Sequence, residues 1–301
     1  FTYEKKKLPG AVFKVTAGAD IYKADGTKVY NAGDVVAENL TTGTDGQVVL
    51  TDLHLGTYVV TETKSIDGFT INNAPQTVAI QYKDQTVTVQ YESTTIENTR
   101  QKAEVSVMKK DSDTENPLDG GKYTIYAGND IRNYAGQVIV TKGTALETVT
   151  TGEDGSAHYS VDLPISNSYY ISESQAPYAY VRNEKDVYSF NFNVLPETQA
   201  KATFSHIFKN DRTTAKIRIY KVDKETGKAV PQGDAKLSGA VYGLYARDII
   251  SHPDGATGVI FNAGDLVATL TTDDNGEAEV KNLYLGNYYV KEITPSEGYL
   301  L

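Results

Sequence analysis

Three stretches of this 301-residue chain carry the same features in the same order and at nearly the same spacing. The first opens with Leu8-Pro9-Gly10-Ala11-Val12-Phe13, the second with Leu118-Asp119-Gly120-Gly121-Lys122-Tyr123, and the third with Leu237-Ser238-Gly239-Ala240-Val241-Tyr242. A threonine-rich turn follows in each: Thr41–Gly46, Thr150–Gly155 and Thr271–Gly276. Each closes on Tyr-x-Val/Ile-x-Glu, with Glu62, Glu173 and Glu292 standing 54, 55 and 55 residues after the opening leucine. Such a repeat confines the chain to a tandem array of one supersecondary unit. A length that by itself suggests about two domains is therefore read as three: 1–100, 101–213 and 214–301. The junctions Asn98-Thr99-Arg100-Gln101-Lys102 and Asn210-Asp211-Arg212-Thr213-Thr214 are short and polar, without Gly or Pro. Flexible linkers are longer and rich in Gly or Ser, so the expected shape is an elongated, semi-rigid rod.

Each unit reads as all-β. Apolar and polar residues alternate in Glu104–Val107, Lys216–Ile219, Val78–Tyr82, Val87–Tyr91 and Tyr188–Val194, and no long amphipathic helix is legible. Asp25-Gly26, Asp45-Gly46, Asp154-Gly155, Asp254-Gly255 and Asn275-Gly276 punctuate the strands as turns. The aromatic content is 22 Tyr and 8 Phe with no Trp, which suits sheets with one wet face.

Several function classes drop out. A net charge of −10 repels a phosphate backbone, so nucleic acid is not an expected partner. No apolar run is long enough to insert in a membrane. The absence of cysteine removes disulfides, thiolate metal sites and a thiol nucleophile. His54, His158, His206 and His252 are dispersed without metal-ligand spacing. Asp273-Asp274-Asn275-Gly276-Glu277 lacks the ligand spacing of a calcium loop and reads as a hairpin turn. Leu195-Pro196-Glu197-Thr198-Gln199 resembles a sorting signal, but more than a hundred residues of repeat follow it, so it reads as a loop. No phosphate loop or catalytic triad is present. Neither a cofactor, a metal nor an external substrate is expected.

Strand parity isolates the remaining chemistry, because residues i and i+2 share a face. Val105, Val107 and Lys109 align, as do Ile217, Ile219 and Lys221, which turns both lysines towards the core. The closing strands likewise turn Glu62, Glu173 and Glu292 inward, and Phe204, His206, Phe208 and Asn210 share a face. Domain one ends in the same way, with Ile96 and Asn98. Buried lysine, glutamate and asparagine are costly unless paired. One reading is a structural ion-pair and hydrogen-bond cluster. The other is a spontaneous Lys–Asn isopeptide bond. Burial lowers a lysine pKa and raises a carboxyl pKa, and a neutral amine beside a protonated carboxyl can attack an amide carbonyl.

These residues resemble the SpaA/Cna B-type (prealbumin-like) domains of Gram-positive pilins and surface adhesins. The matching motifs are Lys109-Lys110-Asp111 and Lys221-Val222-Asp223, the Leu-x-Gly-Ala openings (Leu-x-Gly-Gly in domain two), and the glutamate strand followed by Gly68-Phe69 or Gly298-Tyr299. Domain two departs with Ala176-Pro177-Tyr178-Ala179-Tyr180, which lacks the glycine. The resemblance implies tandem Ig-like β-sandwiches, and a bond from a first-strand lysine to a last-strand asparagine with the glutamate as catalyst. Carried over, domain two supplies Lys109, Glu173 and Asn210. Domain one keeps Glu62 and Asn98 but lacks its first strand. Its lysine falls before Phe1 in register, with Lys5, Lys6 or Lys7 as out-of-register substitutes. Domain three keeps Lys221 and Glu292 and carries a loop insertion, Val230–Lys236. Its asparagine is expected 36 or 37 residues past Glu292, by the spacing in the other domains, so its last strand lies beyond Leu301.

The function this implies is a stalk or shaft segment of a wall-anchored, extracellular surface protein, whose partners are neighbouring repeats of the parent protein. The alternative is an adhesin module for host extracellular matrix or glycan, with the Asn129–Gln137 loop as its candidate surface. A third reading is an accessory module of a secreted carbohydrate-active enzyme.

Overall fold

A computed structural model describes residues 7–87, 89–133 and 135–301, and every regular element in them is a β-strand. Domain one contributes β1 (Val12–Ala17), β2 (Ile21–Tyr22), β3 (Lys28–Tyr30), β4 (Val35–Thr41), β5 (Gly56–Lys64) and β6 (Gln76–Ile80). Domain two contributes β7 (Lys102–Asp111), β8 (Lys122–Ala127), β9 (Ile131–Arg132), β10 (Val138–Val140), β11 (Ala145–Thr150), β12 (Ser156–His158), β13 (Asn167–Gln175), β14 (Val187–Phe192) and β15 (Lys201–Asn210). Domain three contributes β16 (Ala215–Tyr220), β17 (Val241–Ala246), β18 (Ile250–Ser251), β19 (Val259–Phe261), β20 (Leu266–Thr271), β21 (Glu277–Leu283) and β22 (Tyr288–Thr294).

Domain two is a sandwich of a four-stranded sheet, β11-β8-β13-β14, and a three-stranded sheet, β12-β7-β15. Val105, Val107, Ala157, Ala202 and Phe208 from the smaller sheet meet Tyr123, Ile125, Tyr169, Ile171, Phe190 and Phe192 from the larger one. The first and last strands, β7 and β15, are parallel neighbours through ten unbroken rungs, from Lys102 opposite Lys201 to Asp111 opposite Asn210. Domain three repeats the plan with sheets β20-β17-β22 and β16-β21, and domain one with β4-β1-β5-β6. The chain exposes 18108 Å², against about 12,500 Å² for a compact monomer of its mass. The surplus is what separate cores in an extended array produce.

Two expected strands are not formed. Val87–Tyr91 is irregular apart from Thr88, which lies outside the described residues, and Tyr91 is 81% exposed. The stretch holding Ile96 and Asn98 is also irregular. The reason is pairing: in domain two the last strand bonds to β7, and the described residues of domain one include no counterpart of β7. The Asn129–Gln137 segment holds the short strand β9 and the turn that returns to β10, with Tyr134 outside the described residues. Val230–Lys236 is a loop, as expected.

The domains touch through specific contacts. Arg100 pairs with Asp162 of domain two and Ile71 N donates to Glu197 O at 2.9 Å, while within domain two Gln101 binds the Leu195-Pro196 backbone, so the segment resembling a sorting signal is a packed loop. At the second junction Arg212 lies over the Tyr284 ring, 3.9 Å from its centroid, and donates to the Asn282 carbonyl at 3.0 Å. The domain-three hairpin tip also docks there. Asp254 accepts from Thr114 at 3.0 Å and Asn116 at 2.9 Å.

The turn after each glutamate strand needs a left-handed residue. Gly68 (φ 86°) and Gly298 (φ 84°) fill it in the outer domains, and Ala179 fills it at φ 65° in the middle one. Two backbone bonds hold it there, Thr213 N to Ala179 O at 2.7 Å and Val181 N to Asp211 O at 2.9 Å. The left-handed region costs a non-glycine residue about 1–2 kcal/mol, more than the unfolded-chain entropy that alanine saves. Ala179→Gly is therefore expected to stabilise domain two by up to about 1 kcal/mol, read as a higher urea midpoint with an unchanged slope.

Candidate functional site

Three strands from two sheets deliver the site of domain two. Alternation along β7 buries Val105, Val107, Lys109 and Asp111 and leaves Glu104 exposed. The same period on β13 buries Tyr169, Ile171 and Glu173, and β15 ends with Phe208 and Asn210 buried. Lys109 and Glu173 thus face each other across the sandwich, while Asn210 comes from the strand beside Lys109.

Lys109 Nζ lies 3.4 Å from Glu173 Oε1, with side-chain exposures of 0% and 1%. Asn210 Nδ2 donates to both carboxylate oxygens, at 2.8 and 3.0 Å. Asn183 N donates to Oε2 at 3.0 Å and the Tyr123 hydroxyl to Oε1 at 3.0 Å. The glutamate is thus saturated, but its neighbours are not. Lys109 Nζ and Asn210 Oδ1 are buried without a hydrogen-bond partner, an arrangement that costs on the order of 1–3 kcal/mol per group, more for a charge.

Burial pushes the Lys109 pKa down to about 8, against the opposing pull of Glu173. A substantial part of this amine is therefore neutral at mildly alkaline pH. Burial, reinforced by Glu173, drives the Tyr123 hydroxyl far above its ordinary value, so it remains a donor.

The outer domains each hold part of the set. In domain one Asn98 Nδ2 donates to Glu62 Oε1 and Oε2 at 2.9 and 2.7 Å, and Asn72 N donates to Oε2 at 2.7 Å. That reproduces the Asn210–Glu173 geometry, although Asn98 is not on a strand. No described lysine pairs with Glu62. Lys7 is exposed, and Lys5 and Lys6 lie outside the described residues. In domain three Lys221 donates to Glu292 Oε1 at 3.0 Å, with side-chain exposures of 9% and 23%. Burial acts to lower the Lys221 pKa, but the hydrogen bond to Glu292 and the influence of Tyr242 outweigh it, and the pKa is raised.

Sequence reasoning did not single out Tyr123. The signal was present, since the aromatic that ends each opening motif is Phe13, Tyr123 and Tyr242, each opposite the site glutamate. It read His206 as core or rim and the other histidines as dispersed. In the fold His252 meets Asp111 and Asp254 within 4.8 Å at the second junction. Both carboxylates are already occupied there by donors: Asp111 by the N–H groups of Asp113 and Thr114 and the Tyr180 hydroxyl, Asp254 by Thr114, Asn116 and Thr257. The group is a hydrogen-bonded knot. His206 sits at the core rim, stacked on Tyr188 and 2.9 Å from Asp186.

The SpaA prealbumin-like fold domain matches three times, over residues 2–95, 103–206 and 215–301. The chain belongs to this family. Among solved structures it is similar to the Bacillus anthracis TIE protein, with 23% identity and a TM-score of 0.61. That alignment covers 98% of this chain and 45% of the other, so the chain spans less than half of that relative. The shaft pilin SpaA of Lactobacillus rhamnosus GG also matches, at 16% identity and TM-score 0.26, over 69% of this chain and 89% of that one. The full-length major pilin SpaD of Corynebacterium diphtheriae matches at 14% identity and TM-score 0.27, over 68% and 94%. No curated protein sequence matches the chain.

The two lysines are expected to titrate apart. In Asn210→Ala, which has no side-chain amide to displace, lysine side-chain NMR should find Lys109 titrating near 8 and Lys221 above the usual lysine value. Because the folded Lys109 pKa lies below the unfolded one, its contribution to stability grows as pH rises from about 8. Coincident titration of both lysines would contradict the geometry.

Proposed function

We propose that this chain is a segment of the stalk of a surface adhesin or pilus, and that domain two ties its first strand to its last with a Lys109–Asn210 amide bond. The observation that carries this reading is the meeting of an unsatisfied Lys109 Nζ, an unsatisfied Asn210 Oδ1 and a saturated Glu173 in one dry core. Glu173 Oε1 takes a proton from the Lys109 ammonium, and the neutral amine attacks Asn210 Cγ. The carboxyl then passes its proton to Nδ2, which it already contacts, and the regenerated carboxylate takes the second proton that Nζ must lose to become an amide nitrogen. The Cγ–Nδ2 bond breaks, ammonia departs and the new Nζ–Cγ amide remains. The reaction alters only the protein itself, so the chain is not an enzyme towards other substrates.

By position, Glu62 and Glu292 take the role of Glu173. Asn98 and Lys221 are the halves of two further cross-links, whose lysine and asparagine are not at the matching registers of this sequence.

The mechanical use follows from topology. Tension entering at Lys102 and leaving at Asn210 loads the parallel β7–β15 pair in shear. A bond between Lys109 and Asn210 carries that load between neighbouring strands and leaves the residues between them outside the force path. An amide is also indifferent to redox state, which suits a cysteine-free protein on an extracellular, wall-anchored stalk of a Gram-positive cell.

Intact-mass measurement under denaturing conditions is expected to find the chain lighter than its sequence by one ammonia, and Glu173→Ala at full mass. If disulfide loop arithmetic transfers, losing the closed loop should destabilise domain two by about 4–5 kcal/mol, seen as a lower Tm. A wild-type mass equal to the sequence would remove the cross-link from this reading.

A further inference from the structure

One residue separates domain two from its neighbours at the edge of β7. From the turn glycine to the leucine before the closing strand there are seven residues in domain one (Gly46 to Leu53) and seven in domain three (Gly276 to Leu283), but eight in domain two (Gly155 to Leu163). The leucines are equivalent, since the carbonyl of the next residue accepts the closing-strand tyrosine hydroxyl in all three: His54 from Tyr58, Pro164 from Tyr169 and Tyr284 from Tyr288.

The extra residue changes the sheet. In domain three β21 stays zipped to β16 as far as Ala215 opposite Leu283. In domain two β12 pairs with β7 only at Ser106–Met108. Beyond it the chain is drawn off towards the other sheet by Glu147 on β11. That carboxylate accepts from Ser160 N at 2.8 Å, Ser160 Oγ at 2.6 Å and Val161 N at 2.8 Å. Domain three has Ala268 at the corresponding place and cannot do this.

What opens is a slot of about 540 Å³ between residues 102–106 and 158–162. Lys102 N bonds to Ala200 on the β15 side, so residues of the other parity face the slot. Two of them are already backbone-paired on that edge, Gln101 N with Gly68 O at 2.7 Å and Val105 O with Tyr159 N at 3.0 Å. On that edge, Ala103, between them, has no strand residue opposite it among the described residues; its partner Ala202 lies on the β15 side. In register with the two lysines it corresponds to Ala215, and there the molecule shows what covers this rung: an antiparallel backbone.

We propose that the slot takes a short extended stretch of a partner polypeptide, three or four residues long, which adds as a strand against Ala103. Main-chain pairing supplies the affinity, as in other strand additions to a free edge. At the mouth Glu104 is already paired with Lys201 and Asp162 with Arg100, which leaves little uncompensated charge beside Lys102 and His158, so the fitting segment is polar and not strongly charged. This surface goes beyond the stalk reading and does not depend on the cross-link.

The probe is a synthetic heptapeptide of the β21 sequence, Glu-Ala-Glu-Val-Lys-Asn-Leu, titrated into the isotope-labelled full chain. Amide shifts are expected at 103–105 and 158–162, with Ala103 N–H exchange slowed. Ala103→Pro removes the slot-facing donor at an edge position where proline is tolerated, and should weaken binding about tenfold or more. Glu147→Ala frees 160–161 to zip onto β7 and should also weaken binding. No shifts at those residues at peptide concentrations on the order of millimolar would overturn the proposal. So would undiminished binding by Ala103→Pro or, if that variant does not fold, by Glu147→Ala.

Discussion

An ammonium buried against a carboxylate in an aromatic core is the constraint from which the middle domain is organised. Removing both charges from water is expensive, and here the expense is met unequally. Glu173 is fully partnered by Asn210, Tyr123 and a backbone N–H. Lys109 has only the ion pair at 3.4 Å. The arrangement is therefore poised: proton transfer within the pair would remove both charges, and the proposed acylation of the amine would make that loss permanent. The surrounding packing has the same orientation. Phe208 lies opposite Lys109 on the neighbouring strand, with its ring 4.5 Å from that of Tyr123, so the aromatics that exclude water also fix the hydroxyl on Glu173.

The three domains act as internal controls for one another. All three keep the inward glutamate, but the surroundings differ strand by strand. Domain one has the glutamate and asparagine, domain three the lysine and glutamate, and domain two the whole set. Lys221 is hydrogen-bonded to a partly exposed Glu292 and is held in its protonated form. Lys109, on the strand paired with β15, is pushed towards neutrality. The difference goes with β15, which pairs beside β7 and brings Phe208 alongside Lys109; no described strand takes that place beside β16.

Much of the site was legible because strand parity is local. The alternation in Glu104–Val107 and Tyr169–Glu173 places Lys109 and Glu173 inside without knowledge of any partner strand. The same reasoning failed at Val87–Tyr91 and at Ile96–Asn98, where the pattern suits a strand but the described residues include no β7 counterpart to bond it. Glu62 still captures Asn98, so a side-chain contact survived the loss of the strand that was expected to deliver it. The knot of Asp111, His252 and Asp254 could not be read from spacing. It joins two domains across some 140 residues, and only their docking brings its members together.

The repeat by itself determined the number of units, their all-β character and the residues that face inward, because a period of two and a recurring motif are properties of the chain alone. Only the tertiary structure decided that β7 and β15 are parallel neighbours, that Tyr123 reaches Glu173, and that one added residue opens the edge of β7. Each depends on distances between segments far apart in sequence, set by how two sheets pack and not by any local preference. The same holds for the two lysines. Parity treats Lys109 and Lys221 alike, and only the strand paired beside one of them, with the burial it brings, makes it the less willing to hold its proton.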